Sequence, residues 1–496
     1  MKVKQKLARI VGDENFIDTG ELIKAYLKRV GLPSSPAPQI VVFPQDPLTI
    51  QKIIQVANDY NISVTPASST LHLHKGAIPL KGGIILDLKK LNNISPIDVR
   101  NRIVRIGPGV TWAQLTNALR PYGMMVISPF CVHPETSVLS CMLDREPCMD
   151  PRFEIGEPIT SMELVWPTGE RFRTGTASSI DFGRNMAHGA YPYGPGPMDP
   201  IRLIQGSQGT MGVVTWGNIK MEFRPELNEG LLLPFDTSQP LVEAIYAIQK
   251  HKIGRECFGL NRTLLKKVLC QIMDIRPRYF DKDLPHWALL LVLSGGKWFP
   301  KEKITYEMEA LFDLTANRMT SSHLKHGLLK RSSLPNLADV LRDPWPQFKP
   351  YWRLAGERQC ERLFFITRLD RAPEFIKKIQ ERVDAPGGRD VEQGIYVQPL
   401  DYSGGAHLEF IFFPSHTEAK SQALEELVLD SAKDALELGG HFTRPQGKKL
   451  CDLVFGKVDS SYTKLLNSIK GCIDPNYIMN PDKLCFKPRE TGREHI

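Results

Sequence analysis

The stretch IRLIQGSQGTMGVVTWGNIKMEFRP, residues 201 to 225, decides how the chain is read. From Val213 it alternates apolar with small or polar residues, as a half-buried strand does, and Gly206, Gly209 and Gly212 punctuate the turn before it. A glycine lacks a Cβ and lets main-chain amides approach a ligand or a neighbouring strand where another residue would collide. Two readings follow. The glycines shape a tight turn and a bulge, or they bring backbone against a bound ligand.

Upstream of this turn, QIVVFP is a strand, and DPLTIQKIIQVANDYN is an amphipathic helix opened by Asp46 with Pro47 in its first turn. ISVTPAS is a second strand, so the chain makes a strand, helix, strand unit of α/β character. The loop ASSTLHLHKGAIPLKGG begins where that strand ends, which is where ligands meet such an architecture. GIILDL and RIVRIGPGV are further strands, TWAQLTNALRPYG a helix, and SMELVWPTGERFRTG a strand, a turn at Thr168-Gly169 and a strand. Residues 1 to 36 read as a helical lead with Leu22, Ile23, Tyr26, Leu27 and Val30 on one face, ending in the linker GLPSSPAP.

Downstream of Pro225 the character changes. Charged helices such as SQPLVEAIYAIQKHK and FPKEKITYEMEALFDL alternate with apolar strands such as WALLLVLSG, RLFFITRL and AHLEFIFFP, which predicts a second α+β domain. The tail SSYTKLLNSIKGCIDPNYIMNPDKLCF reads as a helix ended at Asp474-Pro475, then a short closing segment.

Composition narrows the class. The 496 residues suit two or three domains, and 42% hydrophobic content supplies large cores. The net charge of +8 is spread along the chain without a basic block, so neither nucleic acid nor a membrane surface is implied. Nine cysteines without a CxxC pair argue against a disulfide framework and a zinc ribbon. No segment has the apolar core of a signal peptide or a membrane-spanning run of ~20 residues, so a cytoplasmic location is expected. His72 and His74 could face one side of a strand, but no third ligand is near, and hydrogen bonding is expected rather than metal. The two GxG sequences contain proline and open no helix, which disfavours a Rossmann site for NAD; Walker A, HExxH, GxSxG and kinase motifs are absent.

Five segments, in this order, resemble the vanillyl-alcohol oxidase and p-cresol methylhydroxylase (PCMH) family of flavoproteins. They are PASSTLHLHKGAIPLKGGIILDLKKLN, IGPGVTWAQL, SVLSCMLDRE followed by GEPITSMELVWPTGERFRTG, YPYGPGPMDPIRLIQGSQGTMGVVT, and the tail DPNYIMNPDKL. The resemblance implies an α+β fold: a PCMH-type FAD-binding domain of two subdomains, split in sequence around an α+β substrate cap. Its boundaries would be 1 to 225 for the FAD-binding domain, with 36 to 225 as core, 226 to 445 for the cap, and 446 to 496 for the return.

The resemblance also implies FAD as cofactor. Ser68, Ser69, Thr70, Leu71, Gly76 and Ala77 fall on the family's pyrophosphate loop, where a nest of backbone N–H groups suits the anion. Ser137, Ser140, Gly206, Gly212 and Val213 fall on further flavin-lining positions. This chain departs from the pattern at Ala67, where an arginine is common, and at Ser68 to Thr70 and Ser140, where relatives carry glycines. Glu157 aligns with a catalytic carboxylate, His407 with a histidine that in several members is covalently joined to the flavin, and Arg444 with an arginine that stabilises charge on substrate or reduced flavin. Thr443 replaces the family's phenol-activating tyrosine. The implied function is an FAD-dependent oxidoreductase that takes a hydride from an alcohol or activated C–H carbon, including that of an aromatic substrate. The alternatives are a catalytically silent structural or regulatory subunit and a hydroxy-acid dehydrogenase. The implied partners are a small-molecule substrate, an electron-acceptor protein, and a second copy or a complex.

Overall fold

Asp46 caps the helix Pro47–Asp59, its carboxylate accepting the Thr49 N–H at 2.8 Å, and the buried stripe Ile50, Ile53, Ile54 and Ala57 presses that helix onto a sheet. The structure is a computed structural model that describes the chain apart from residues 1, 33–36, 70, 73–74, 152–157, 179–193, 273–283, 319–335, 356–357, 386–390, 414–418 and 487–496. The first sheet runs in the order Phe16–Ile17, Ile40–Val42, Ile84–Asp87, Val64–Ala67, and its last three strands are parallel. The lead forms two helices, Lys2–Val11 and Gly20–Arg29. Ile23, Tyr26, Leu27 and Val30 are buried as expected, but Leu22 is 57% exposed, because it lies about 100° round the helix from Ile23.

A second sheet of five antiparallel strands follows, in the order Ile94–Asp98, Ile103–Ile106, Val213–Lys220, Ile159–Val165, Arg171–Arg173. The strand that leaves the glycine turn is central to it. The helix Trp112–Leu119, closed at its start by a Thr111/Gln114 capping box, covers this sheet together with the short helix Val138–Leu143.

The third sheet has six antiparallel strands: Leu227–Phe235, Trp287–Gly295, Glu256–Asn261, Glu392–Leu400, Gly405–Phe413, Glu361–Thr367. Its two faces join different cores, which explains apolar runs such as WALLLVLSG. Leu289, Leu291 and Phe410 pack under the helices Ser238–Lys250 and Ala372–Asp384. Leu290, Tyr396 and Ile411 face Phe130, Cys131 and Met149 of the cofactor-binding part of the chain.

The tail then returns to the first sheet, so the unit built on the first two sheets is split in sequence. The Val64 N–H donates to Ile478 O at 2.8 Å and the Asn480 N–H to Val64 O at 2.8 Å. Among the described residues no helix is long and apolar enough to cross a membrane, and the described cysteines are free thiols.

Candidate active site

Between the first two sheets lies a cavity of about 120 Å³. The sequence alignment of small polar residues after Val64–Ala67 becomes one of its walls. Ser68 and Ser140 meet hydroxyl to hydroxyl at 2.5 Å, and Ser69 Oγ accepts the Ser137 N–H at 3.0 Å. Ser137 caps Val138–Leu143: its hydroxyl donates to Pro108 O at 2.6 Å and accepts the Ser140 N–H at 3.1 Å. The capping role consumes that hydroxyl.

Ser68, Ser69, Gly76, Ala77, Ser140 and Gly212 line the cavity, as do Gln208 and Asp144. Leu71, Ser137, Gly206 and Val213 are not in its lining. Val213 points into the core beside Val64 and Leu86, and its neighbour Val214 takes the cavity side. Thr70, His74 and Glu157 lie outside the described residues. His72 lines the cavity, and no group of three metal-ligating side chains occurs among the described residues.

The glycines of the turn are explained by the protein itself. A Cβ at Gly206 would sit 2.6 Å from Arg145 Nη2, at Gly209 2.5 Å from Pro66 Cγ, and at Gly212 2.9 Å from Leu164 Cδ1. All three also have positive φ. What they approach so closely is neighbouring chain. Gly76 differs, since the nearest atom to a Cβ there would be Gln208 Cβ at 3.7 Å.

A dinucleotide's pyrophosphate needs converging neutral donors rather than a fixed cation. Three serine hydroxyls and the open backbone at Gly76 fit that need. The residues that would hold FAD are therefore those of the Ser68 loop, the Ser140 helix and the Gln208 turn.

A second cluster is tied to this cavity through Gln208. In the third sheet, register pairs His407 with Gln398 and Ile366, and Glu409 with Tyr396 and Phe364. These side chains share one face with Arg362, and that face looks toward the cofactor-binding unit. A bridge between Ile366 and His441 then lays the 441–445 segment along the edge strand, so that Arg444 stacks on the Phe364 ring at 4.3 Å. Two short links join cluster to cavity: Gln208 Nε2 donates to Pro445 O at 2.7 Å and Arg145 Nη2 to Thr443 O at 3.5 Å.

Three guanidiniums, Arg353, Arg362 and Arg444, with buried side chains, face the carboxylates of Glu146 and Glu409, and Asp144 of the cavity wall also acts on Arg444. Arg362 Nε donates to Glu409 Oε1 at 2.6 Å, and Glu409 Oε2 meets His407 Nε2 at 3.2 Å. Burial pushes the Glu409 carboxyl up, but the Arg362 charge, the His407 hydrogen bond and the Arg353 charge together outweigh it and hold the group well below the usual range. Burial pushes His407 down, so its imidazole is neutral. An ionised Glu409 accepts from Nε2, which fixes the Nε2–H tautomer and leaves Nδ1 as the lone pair. Arg444 is only 4% exposed, and both of its terminal nitrogens lack a partner among the described residues.

Sequence reasoning found His407 and Arg444 and passed over Glu146, Arg353, Arg362, Glu409 and Gln208. The missed signal was charge at alternate positions inside otherwise apolar strands, as in ERLFFIT and AHLEFIFF, which requires partners across the sheet.

A cofactor-binding unit split around a six-stranded cap, with a buried charged cluster where they meet, defines a flavin-dependent oxidoreductase architecture. The FAD binding domain family matches residues 38–175, and the FAD linked oxidases C-terminal domain family matches residues 367–484. The chain is 25% identical to glycolate oxidase subunit GlcD of Bacillus subtilis over 506 aligned positions, covering 98% of this chain and 97% of that one. By fold it is similar to p-cresol methylhydroxylase with substrate bound (TM-score 0.79, 17% identity, 98% and 96% covered). It is likewise similar to 4-ethylphenol oxidase from Gulosibacter chungangensis (TM-score 0.81, 17% identity, 98% and 97% covered). The chain belongs to the FAD-linked oxidoreductases, with FAD as cofactor, and its fold is the PCMH type.

Proposed function

We propose that this oxidoreductase oxidises a small alcohol that carries a carboxylate, a 2-hydroxy acid, at the Arg444 cluster. The observation that supports it is the buried Arg444 guanidinium, whose two terminal nitrogens have no hydrogen-bond partner among the described residues. A buried charge without a hydrogen-bonded partner is costly, and among the described residues the carboxylates of Glu146, Asp144 and Glu409 act on Arg444 only through space, which leaves its N–H groups for a substrate anion. Glycolate, named in a full-length relative, has this chemistry. In this reading Arg444 anchors the carboxylate and His407 Nδ1 takes the hydroxyl proton. Glu409 holds the imidazole in place. When bound, the flavin supplies the electron sink for the hydride. Glu157, the base that the family resemblance implies, falls outside the described residues, and His407 fills that role within the cluster.

An aromatic alcohol is the second reading, favoured by the Phe364 and Tyr396 rings beside His407. Against it, the Tyr351 hydroxyl donates to Cys131 O at 3.1 Å and that of Tyr396 to Gln398 Oε1 at 2.6 Å, so neither is free to stabilise a phenolate.

The test is anaerobic bleaching of the purified yellow protein by 2-hydroxy monocarboxylates and, separately, by 4-alkylphenols. Bleaching by the acids alone supports the reading; bleaching by phenols alone overturns it. A colourless protein that refuses added FAD would point to the silent-subunit alternative. Because the Nδ1 lone pair serves the substrate proton in this reading, the flavin is expected to be non-covalent, with all colour in the supernatant after acid precipitation. Colour kept in the pellet would assign His407 to the cofactor instead.

Arg444→Gln is expected to lower kcat/KM for the acid by about 10- to 150-fold, the value of a charge-assisted hydrogen bond worth roughly 1.5–3 kcal/mol. The loss should fall mainly on KM, and steady-state kinetics at saturating acceptor would show it.

A further inference from the structure

We propose that Arg353 and Arg362 form a second anion subsite beside Arg444, which Glu146 occupies from within, and that Glu146 thereby restricts the site to monoanionic substrates. This rests on the anion reading of Arg444 given above.

The geometry is that of a stand-in ligand. Glu146 Oε1 accepts from both Arg353 Nη1 at 3.3 Å and Arg362 Nη2 at 3.4 Å. Charge-assisted pairs usually close to about 2.7–2.9 Å, and Arg362 does so with Glu409 at 2.6 Å. One oxygen is thus shared loosely between two guanidiniums. Arg353 Nε and Arg362 Nη1 keep no acceptor among the described residues. The two guanidiniums thus carry more donors than the described acceptors around them take up.

Glu146 also comes from a different part of the chain than the arginines it meets. It follows Val138–Leu143, where the Arg145 backbone turns left-handed (φ 55°) and the Glu146 N–H donates to Cys141 O at 3.0 Å. That local closure aims the carboxylate across the junction between cofactor unit and cap, so its position is set by the helix rather than by the arginines. A carboxylate held this way does what a substrate's second carboxylate would do. With it present, the free donors left for an anion are those of Arg444. With it neutralised, Arg353 and Arg362 would also call for an anionic acceptor.

The experiment uses the FAD-loaded protein and two non-oxidisable probes, propionate and malonate, titrated by calorimetry, with 2-hydroxy mono- and dicarboxylates compared in steady state. Wild type is expected to prefer propionate. In Glu146→Gln the malonate-to-propionate affinity ratio should rise at least tenfold, with the dicarboxylate-to-monocarboxylate ratio of kcat/KM moving in parallel. Glu146→Asp, which keeps the charge, should leave both ratios near wild type. A wild type that binds neither probe would sink the anion reading of Arg444 itself. Binding of propionate by wild type with an unchanged ratio in Glu146→Gln would overturn the subsite and leave that reading intact. An equal shift in Glu146→Asp would also overturn it, since space rather than charge would then be responsible. If Glu146→Gln does not fold, the double variant Glu146→Gln/Arg353→Gln restores two guanidiniums to one carboxylate. It should regain the wild-type preference for propionate, and a preference for malonate there would refute the proposal.

Discussion

Replacing His407 with glutamine is expected to slow reduction of the bound flavin by about 10²- to 10⁴-fold, the usual contribution of a positioned general base. Glutamine can still donate an N–H to Glu409, so the ion pair of Glu409 with Arg362 survives and the loss isolates the Nδ1 lone pair. The pH dependence carries the sign. Burial holds the His407 imidazole below its ordinary value of about 6.5. The reactive form is the neutral one, so the wild-type rate should be flat at and above neutrality and fall only on the acid side of that value. His407→Gln should lose this acid limb. The same shift acts on stability: between the two values the unfolded chain binds the extra proton and the native protein does not, so stability falls as pH drops through that window. Rapid-mixing measurements of flavin reduction against pH would decide. A variant with near-wild-type rates and an unchanged acid limb would remove His407 from proton transfer.

Much of the scaffold could be read from sequence because it rests on local rules. Asp46-Pro47, Thr111 with Gln114, and Asp474-Pro475 each mark a helix end by capping or by the loss of a backbone donor, and the helices start and stop there. The cavity loop was legible by position, since it leaves a parallel strand. The glycine turn was legible as a turn but not in its cause, because Arg145, Pro66 and Leu164 come from remote segments that crowd each glycine. The charged cluster was the least legible. Glu146, Arg353, Arg362, Glu409 and Arg444 span some three hundred residues, and what makes them a site is strand register plus the Ile366–His441 bridge. Neither quantity is written in any local window. Spacing can say that Arg362 and Glu409 interrupt apolar strands; it cannot say that Glu409 lies opposite Phe364 and within reach of Arg362.

The same logic makes Lys470 the most consequential side chain outside the chemistry, and Lys470→Met is expected to cost about 3–5 kcal/mol, the penalty for leaving one member of a buried ion pair alone. Lys470 is 0% exposed and pairs with Asp474 one helical turn on. Its ammonium also donates to Thr210 O at 2.5 Å, in the glycine turn, and to Met479 O at 3.1 Å, in the returning tail. One residue further, Asn480 donates to Gly76 O at 3.0 Å and Gln208 O at 2.6 Å, both on cavity-lining residues. Lys470 therefore fastens the tail to the two loops that would hold the cofactor. The variant should unfold roughly ten degrees lower and release FAD more readily, and added FAD should recover part of the loss by mass action. Lys483→Met is the control. Burial pushes the Lys483 ammonium down to about 8, and it donates to a neutral carbonyl, Lys75 O, at 2.8 Å. A depressed folded value means that the protonated form costs stability below about 8, so an apolar replacement at neutral pH should be nearly neutral or stabilising. Equal losses in the two variants, read by thermal unfolding with and without FAD, would show that burial of a lysine, and not the Lys470–Asp474 clamp on the cavity loops, sets the effect.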